Sequence, residues 1–253
     1  MSYLNTVPLV WGMLHGEQRH AVDLSFSIPA ECARQVEAGQ IDIGLVPVAE
    51  IARQQLEIVP GVGIACFGPV RSILLFSRVP WRHVRAVAVD SSSRTSVQLA
   101  RVVLAERFGA SPALLPHQPV LEDMLSTADA ALVIGDAALR LEPQSLPYEF
   151  LDLGAEWTNL TGLPMVFAAW AGKHPDSALE GITKASYEYG AARLEDIVNS
   201  EYVARGVTLE LARKYLSEHI RFTLGPQELE GLRTFLTMAG LQKETDAYAT
   251  TGD

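Results

Sequence analysis

Ile41-Asp42-Ile43-Gly44-Leu45-Val46-Pro47-Val48-Ala49-Glu50 decides the fold class of this chain. Ile41 to Val46 reads as a buried strand, and Pro47-Val48-Ala49-Glu50 leads from its end directly into a helix. On the upstream side, Pro29 opens a helix that Gly39 closes, and Val22-Asp23-Leu24-Ser25-Phe26 before it reads as a further strand. Strand, helix, strand and helix in that order describe a βαβ crossover with its loops at the carboxyl ends of the strands. An α/β class with largely parallel sheets is expected.

The same alternation continues outward. Arg71 to Ser77 is a strand candidate bounded by Pro69 and Pro80, and Ala86-Val87-Ala88-Val89 is a short buried strand ahead of the turn Asp90-Ser91-Ser92-Ser93. Arg94 to Phe108 repeats apolar residues at helical spacing and stops at Gly109. Ala130 to Ile134 and Met165 to Trp170 supply two more strands. Beyond Lys173 the pattern is helical only: a long helix from Leu179 to Arg205, a second from Thr208 to Ile220 and a third from Pro226 to Leu241. Three helices without a strand need a partner, so they are expected to return to the first lobe. The resulting expectation is two lobes, one formed by residues 1–77 and 171–253 and the other by the inserted residues 78–170, with a ligand cleft between them.

Composition narrows the function classes. A formal charge of −10 disfavours nucleic acid, which needs a basic surface, but it leaves room for a small anion held by local donors. Cys32 and Cys66 match neither a zinc ribbon nor a redox pair, and the six histidines follow no metal-ligand spacing. No apolar run approaches the ~20 residues that span a bilayer, and no secretory signal precedes the folded pattern, so a cytoplasmic chain without membrane contact is expected. The G-x-S-x-G elbow, H-E-x-x-H and the dinucleotide glycine fingerprint are all missing from the sequence.

Two segments carry anion-binding chemistry. Ser2-Tyr3-Leu4-Asn5-Thr6-Val7-Pro8-Leu9 places polar groups where a helix begins, because Pro8 suits the first helical turn and Leu9, Val10, Met13 and Leu14 then follow at helical spacing. Asn5 and Thr6 either cap that helix or help hold a carboxylate or phosphate at its positive end. Asp90-Ser91-Ser92-Ser93-Arg94-Thr95-Ser96 is a second strand-to-helix turn rich in hydroxyls, with a guanidinium able to grip a carboxylate through two bonds. It lacks the glycines and lysine of a triphosphate loop, and a serine-rich capped turn explains it equally well. Ser72 lies on the crossing strand, facing either the cleft or the packing behind it. Gly135-Asp136 ends another strand, with Asp136 suited both to the cleft and to capping the next helix.

Ser2-Tyr3-Leu4-Asn5-Thr6-x-Pro8-Leu9, Gly68-x-Val70-x-Ser72, Asp90-x-x-Ser93-Arg94-Thr95-Ser96, Ile134-Gly135-Asp136 and Thr161-Gly162-Leu163-Pro164 together resemble the chorismate dehydratase family of the futalosine route to menaquinone. The match runs in order from residue 1 to about residue 170. The resemblance implies a type II periplasmic-binding-protein fold used by an enzyme; such proteins carry a first strand ahead of the Ser-Tyr-Leu-Asn motif, and here Met1 stands where that strand would be ending. It implies loss of water from chorismate to give 3-[(1-carboxyvinyl)oxy]benzoate, with no metal or organic cofactor because neither redox change nor an electron sink is required. Asn5 is then the expected residue for orienting the substrate and assisting the departing hydroxyl, and Ser72 the second catalytic residue. Ser2, Tyr3, Thr6, Ser93, Arg94, Thr95, Ser96, Gly135, Asp136, Thr161 and Gly162 are the expected substrate-binding set, with Asp136 an alternative base. The sibling that makes 1,4-dihydroxy-6-naphthoate and a non-enzymatic solute-binding protein for a small carboxylate share the fold and stand as alternatives.

Overall fold

The computed structural model describes residues 3–90 and 94–241. Helices α1 (Val7–His15) and α2 (Pro29–Glu37) precede strand β1 (Gly44–Pro47), followed by α3 (Val48–Gln54) and β2 (Glu57–Cys66). The next group is β3 (Ile73–Ser77), β4 (Ala86–Val89), α4 (Arg94–Phe108), β5 (Ala113–Pro116), α5 (Leu121–Thr127), β6 (Ala130–Ile134), α6 (Gly135–Leu139) and β7 (Glu149–Asp152). The chain continues through α7 (Leu153–Thr161), β8 (Met165–Gly172), α8 (Ala178–Ala191), α9 (Leu194–Arg205), α10 (Leu209–Lys214), β9 (Arg221–Leu224) and α11 (Pro226–Met238).

The strands form two sheets, one in each lobe. The first has the order β1-β8-β2-β9 and the second β5-β4-β6-β3-β7. The interlobe segments run from Cys66 to Ile73 and from Thr161 to Met165. Both boundary strands therefore lie across the expected division: β3 pairs with β6 and β7 in the second sheet, whereas β8 pairs with β1 and β2 in the first. The expected parallel character also needs correction. Among the described residues the first sheet is antiparallel throughout, and in the second only the β4 pairings with β5 and β6 are parallel. The reason is topological: β8 returns from the inserted lobe and enters between β1 and β2 in the opposite direction.

Other expectations shift with context. Val22 to Phe26 forms no strand, and Phe26 and Ile28 are exposed there. The long helix expected over 179–205 is interrupted between α8 and α9. The segment beyond Lys173 is not purely helical, because β9 joins the edge of the first sheet beside β2. Its short alternation, Phe222 and Leu224 buried with Arg221 and Thr223 exposed, has the period of a half-buried strand.

The C-terminal helices do return to the first lobe, as their unpaired apolar faces demand. α8 lies against α1, where the buried Ser186 hydroxyl donates to the Leu9 carbonyl at 2.9 Å and accepts from the Met13 N–H at 3.1 Å. The two backbones approach closely: a Cβ on Gly190 would collide with the Pro8 carbonyl oxygen. Since that obstacle is backbone in a packed helix pair, Gly190→Ala is expected to cost about 2 kcal/mol by overpacking. For a chain of this size that corresponds to a fall of roughly 4–8 °C in melting temperature, measurable by calorimetry.

Candidate functional site

The interlobe cleft is lined by Tyr3, Asn5, Pro47, Ser72, Ser96 and Gly135, with Ile64, Val70, Ile134 and Phe167 as apolar wall. Five helices begin at or beside this lining: Asn5 lies just ahead of α1, Pro29 opens α2, Pro47 immediately precedes α3, Ser96 lies in the first turn of α4, and Gly135 opens α6. Helix starts present free N–H groups and the positive end of a dipole, so α1, α2 and α4, the longest of the five, favour negative charge in the cleft. No lysine, arginine, histidine or carboxylate lines it among the described residues. Dipoles and hydroxyls are thus the groups this lining can offer an anion.

Asn5 and Ser72 come together through a residue that sequence reasoning missed. The Asn5 side-chain amide donates to the Tyr215 hydroxyl at 2.9 Å, and Tyr215 donates to the Ser72 hydroxyl at 2.9 Å. Neither Asn5 nor Thr6 caps α1 with its side chain, so the capping alternative is set aside. Tyr215 is 1% exposed, and burial pushes its phenol above the ordinary range. It stands at the start of a π-helical turn, Tyr215–His219, that continues α10. Such turns interrupt ordinary helix registry and recur at functional sites, but an isolated sequence carries no local mark of one.

The crossing segment that holds Ser72 is pinned from two directions. Asp152 accepts the backbone N–H groups of Val70 and Arg71 at 2.9 and 2.7 Å, and those of Gly154 and Ala155 at 3.0 and 3.1 Å. Arg71 adopts a left-handed conformation with φ of 65°, and its guanidinium donates to the carbonyls of Ala138 and Leu141 near the end of α6. The Ser72 carbonyl accepts the Gly135 N–H at 2.7 Å. Gly135 has φ of 62°, and a Cβ there would lie 2.7 Å from the Tyr3 ring, so glycine at this position lets Tyr3 form the cleft wall.

The remaining expected site residues divide. Ser96, Tyr3 and Gly135 line the cleft, whereas Ser2 and Ser93 lie outside the described residues. Arg94 is exposed and pairs with the buried Glu50 at 2.9 Å on a separate surface cavity, so Glu50 occupies the guanidinium expected to grip substrate. Thr95 accepts the Ala49 N–H at 3.2 Å, and with Arg94 it ties the start of α4 to α3 across the lobes. Thr6 is buried outside the lining. Thr161 and Gly162 terminate α7: the Thr161 hydroxyl donates to the Trp157 carbonyl at 2.9 Å, and Gly162 takes the left-handed position that helix ends favour. Those two residues shape the second crossing and do not line the cleft.

Asp136 spans the lobes rather than facing substrate alone. One oxygen accepts the Leu4 N–H at 3.0 Å, and the other pairs with Arg205 at 2.9 Å. Arg205 in turn holds Glu201 at 2.7 Å. With both oxygens occupied, the carboxylate serves as a clasp between α6 and the segment that carries Asn5.

Solved structures with the same arrangement define the class. A protein from Archaeoglobus fulgidus superposes with a TM-score of 0.71 at 15% identity, covering 95% of this chain and 96% of that one. The periplasmic aliphatic sulphonate binding protein SsuA from Escherichia coli superposes at 0.64 with 14% identity, covering 94% and 83%. At such identities the likeness establishes the fold: this is a two-lobed α/β protein of the periplasmic-binding-protein type.

A family profile described as menaquinone biosynthesis matches residues 1–240, and the chain belongs to that family. The chorismate dehydratase of Thermus thermophilus is 30% identical over 94% of this chain and 93% of its own length. The chorismate dehydratase of Campylobacter jejuni is 23% identical over 93% and 94%, respectively.

The clasp has a direct test. Asp136→Ala removes both the Leu4 acceptor and the partner of Arg205, and is expected to destabilise the fold by about 2 kcal/mol, between the values for exposed and buried pairs. Asp136→Asn retains an acceptor for Leu4 and is expected to lose less, as read by denaturant titration.

Proposed function

We propose that this chain is a chorismate dehydratase, a carbon–oxygen lyase that converts chorismate to 3-[(1-carboxyvinyl)oxy]benzoate and water. The observation that carries this reading is the meeting of Asn5 and Ser72, two distant residues of the motifs matched in sequence, on one hydrogen-bonded chain in a cleft without a charged side chain among its described lining. The two dehydratase relatives and the menaquinone family support the same activity. A cytoplasmic setting belongs to the proposal, and no helix among the described residues is long and apolar enough to cross a membrane.

The chemistry suits such a site. The hydrogen to be lost sits on the ring carbon bearing the enolpyruvyl ether, acidified through the adjacent double bond by the ring carboxylate. The hydroxyl leaves from the neighbouring carbon, and aromatisation drives the elimination. Helix N-termini in the cleft stabilise negative charge as it builds on the ring carboxylate during proton loss. Ser72 donates to the substrate, and Asn5 orients the ring and assists the departing hydroxyl. The substrate's own side-chain carboxylate takes the proton, so the protein contributes orientation and electrostatics rather than a dedicated base. The lack of a carboxylate, histidine or lysine in the described lining supports that assignment.

Purified protein mixed with chorismate is expected to produce an aromatic absorbance that grows as chorismate is consumed. Asn5→Ala is expected to lower kcat by at least about 100-fold, the scale of removing an oriented donor at developing charge, with an unchanged melting profile. Failure of the unsubstituted protein to form an aromatic product would overturn the proposal. Should Asp136→Asn reduce kcat as far as Asn5→Ala does, the proton would be assigned to Asp136 instead.

A further inference from the structure

We infer that Tyr215 is a positioning residue that sets the hydrogen-bond polarity of the site, holding Asn5 in place and committing the Ser72 hydroxyl to donate toward the cleft. The inference rests on the dehydratase reading, but its geometry stands apart from the identity of the substrate.

The polarity follows from which groups can donate. The Asn5 Nδ2 group is only a donor, so the Tyr215 oxygen must accept from it at 2.9 Å. Tyr215 has one proton, and it is directed to Ser72 Oγ at 2.9 Å. Ser72 Oγ therefore acts as acceptor toward Tyr215, leaving its own proton for a ligand. A serine with the opposite polarity would present a lone pair to a dicarboxylate and repel it. Tyr215 makes the choice before substrate arrives, which is the preorganisation that electrostatic catalysis requires. The phenol is held in its neutral form by burial, so the polarity persists across the ordinary pH range.

The placement of Tyr215 strengthens the case. The π-helical turn carries it from the C-terminal helices to the junction of the lobes, where Asn5 precedes α1 and Ser72 occupies the crossing segment. Asn5 and Ser72, 210 and 143 residues away from Tyr215 along the chain, meet on its hydroxyl. The surroundings offer no ready substitute: the side-chain oxygen of Asn5, Oδ1, is buried without a hydrogen-bond partner among the described residues, and Ser72 is 2% exposed. Loss of the phenol would leave buried polar groups that rearrange or pair with each other, changing the geometry offered to substrate.

Tyr215→Phe keeps the ring and removes only the hydroxyl. Expected is a loss of about 100-fold in kcat with KM changed by no more than about threefold, the signature of an interaction realised in the transition state. The triple variant Tyr215→Phe/Ser72→Ala/Asn5→Ala is expected to be no slower than Ser72→Ala/Asn5→Ala, because Tyr215 acts through those two residues rather than on substrate. Unchanged kcat in Tyr215→Phe, or a further loss in the triple variant, would overturn the proposal. The unsubstituted full chain supplies a readout without turnover: the Asn5 side-chain amide, assigned by its disappearance in Asn5→Ala, is expected to show one NMR proton protected from exchange and displaced from the other. Freely exchanging, unshifted amide protons would also overturn it. If chorismate is not dehydrated but this protected amide is present, the dehydratase reading fails and the positioning role stands.

Discussion

Four backbone N–H groups converging on the carboxylate of Asp152 hold the site's geometry in place. A carboxylate can accept several hydrogen bonds, and this one satisfies the start of α7 while gripping the first crossing at Val70 and Arg71. Ser72 follows directly and inherits its position from that grip. Because Asp152 ends β7 and caps α7 in the inserted lobe, the same side chain ties the first crossing to the start of α7. The lobes are joined by two strands' worth of chain, and their mutual order is set by a few polar groups rather than by a shared sheet.

Around this point the other interlobe contacts act in concert. Asp136 ties α6 to Leu4 and Arg205, while Glu50 and Ala49 reach Arg94 and Thr95. Polar residues that a sequence reading assigns to substrate are used partly for closure. Their engagement leaves the cleft itself with hydroxyls, an amide, an aromatic wall and helix ends. Such an environment is suited to an anionic ligand and offers no carboxylate, histidine or lysine among its described lining.

Much of the fold was legible because it depends on local periodicity. Pro8 at the first turn of α1, the buried strands β4 and β6, and α4 ending before Gly109 all follow from residue type and spacing. The errors fell where long-range pairing decides. Val22 to Phe26 has strand-like composition but pairs with no strand among the described residues, whereas Arg221 to Leu224, which falls between two expected helices, is held by β2. β3 and β8 were visible as strands, but the lobe each joins is settled only by which neighbour accepts its backbone hydrogen bonds. Similarly, Asn5 and Ser72 stood out through their motifs, while Tyr215, in a segment without a recognisable motif, did not.

The sequence by itself determined the α/β class and the family, and it singled out Asn5 and Ser72 as candidate site residues, because these reside in composition, spacing and contiguous motifs. Only the tertiary structure decided that Asp136 and Arg94 clasp the lobes, that Thr161 and Gly162 finish a helix, and that Tyr215 bridges Asn5 to Ser72. A side chain's chemistry is written in its residue type, but the partner that uses it is not. Hydrogen-bond polarity arises from which donors and acceptors are brought within about 3 Å of each other, and chain separation conceals that until the fold brings them together.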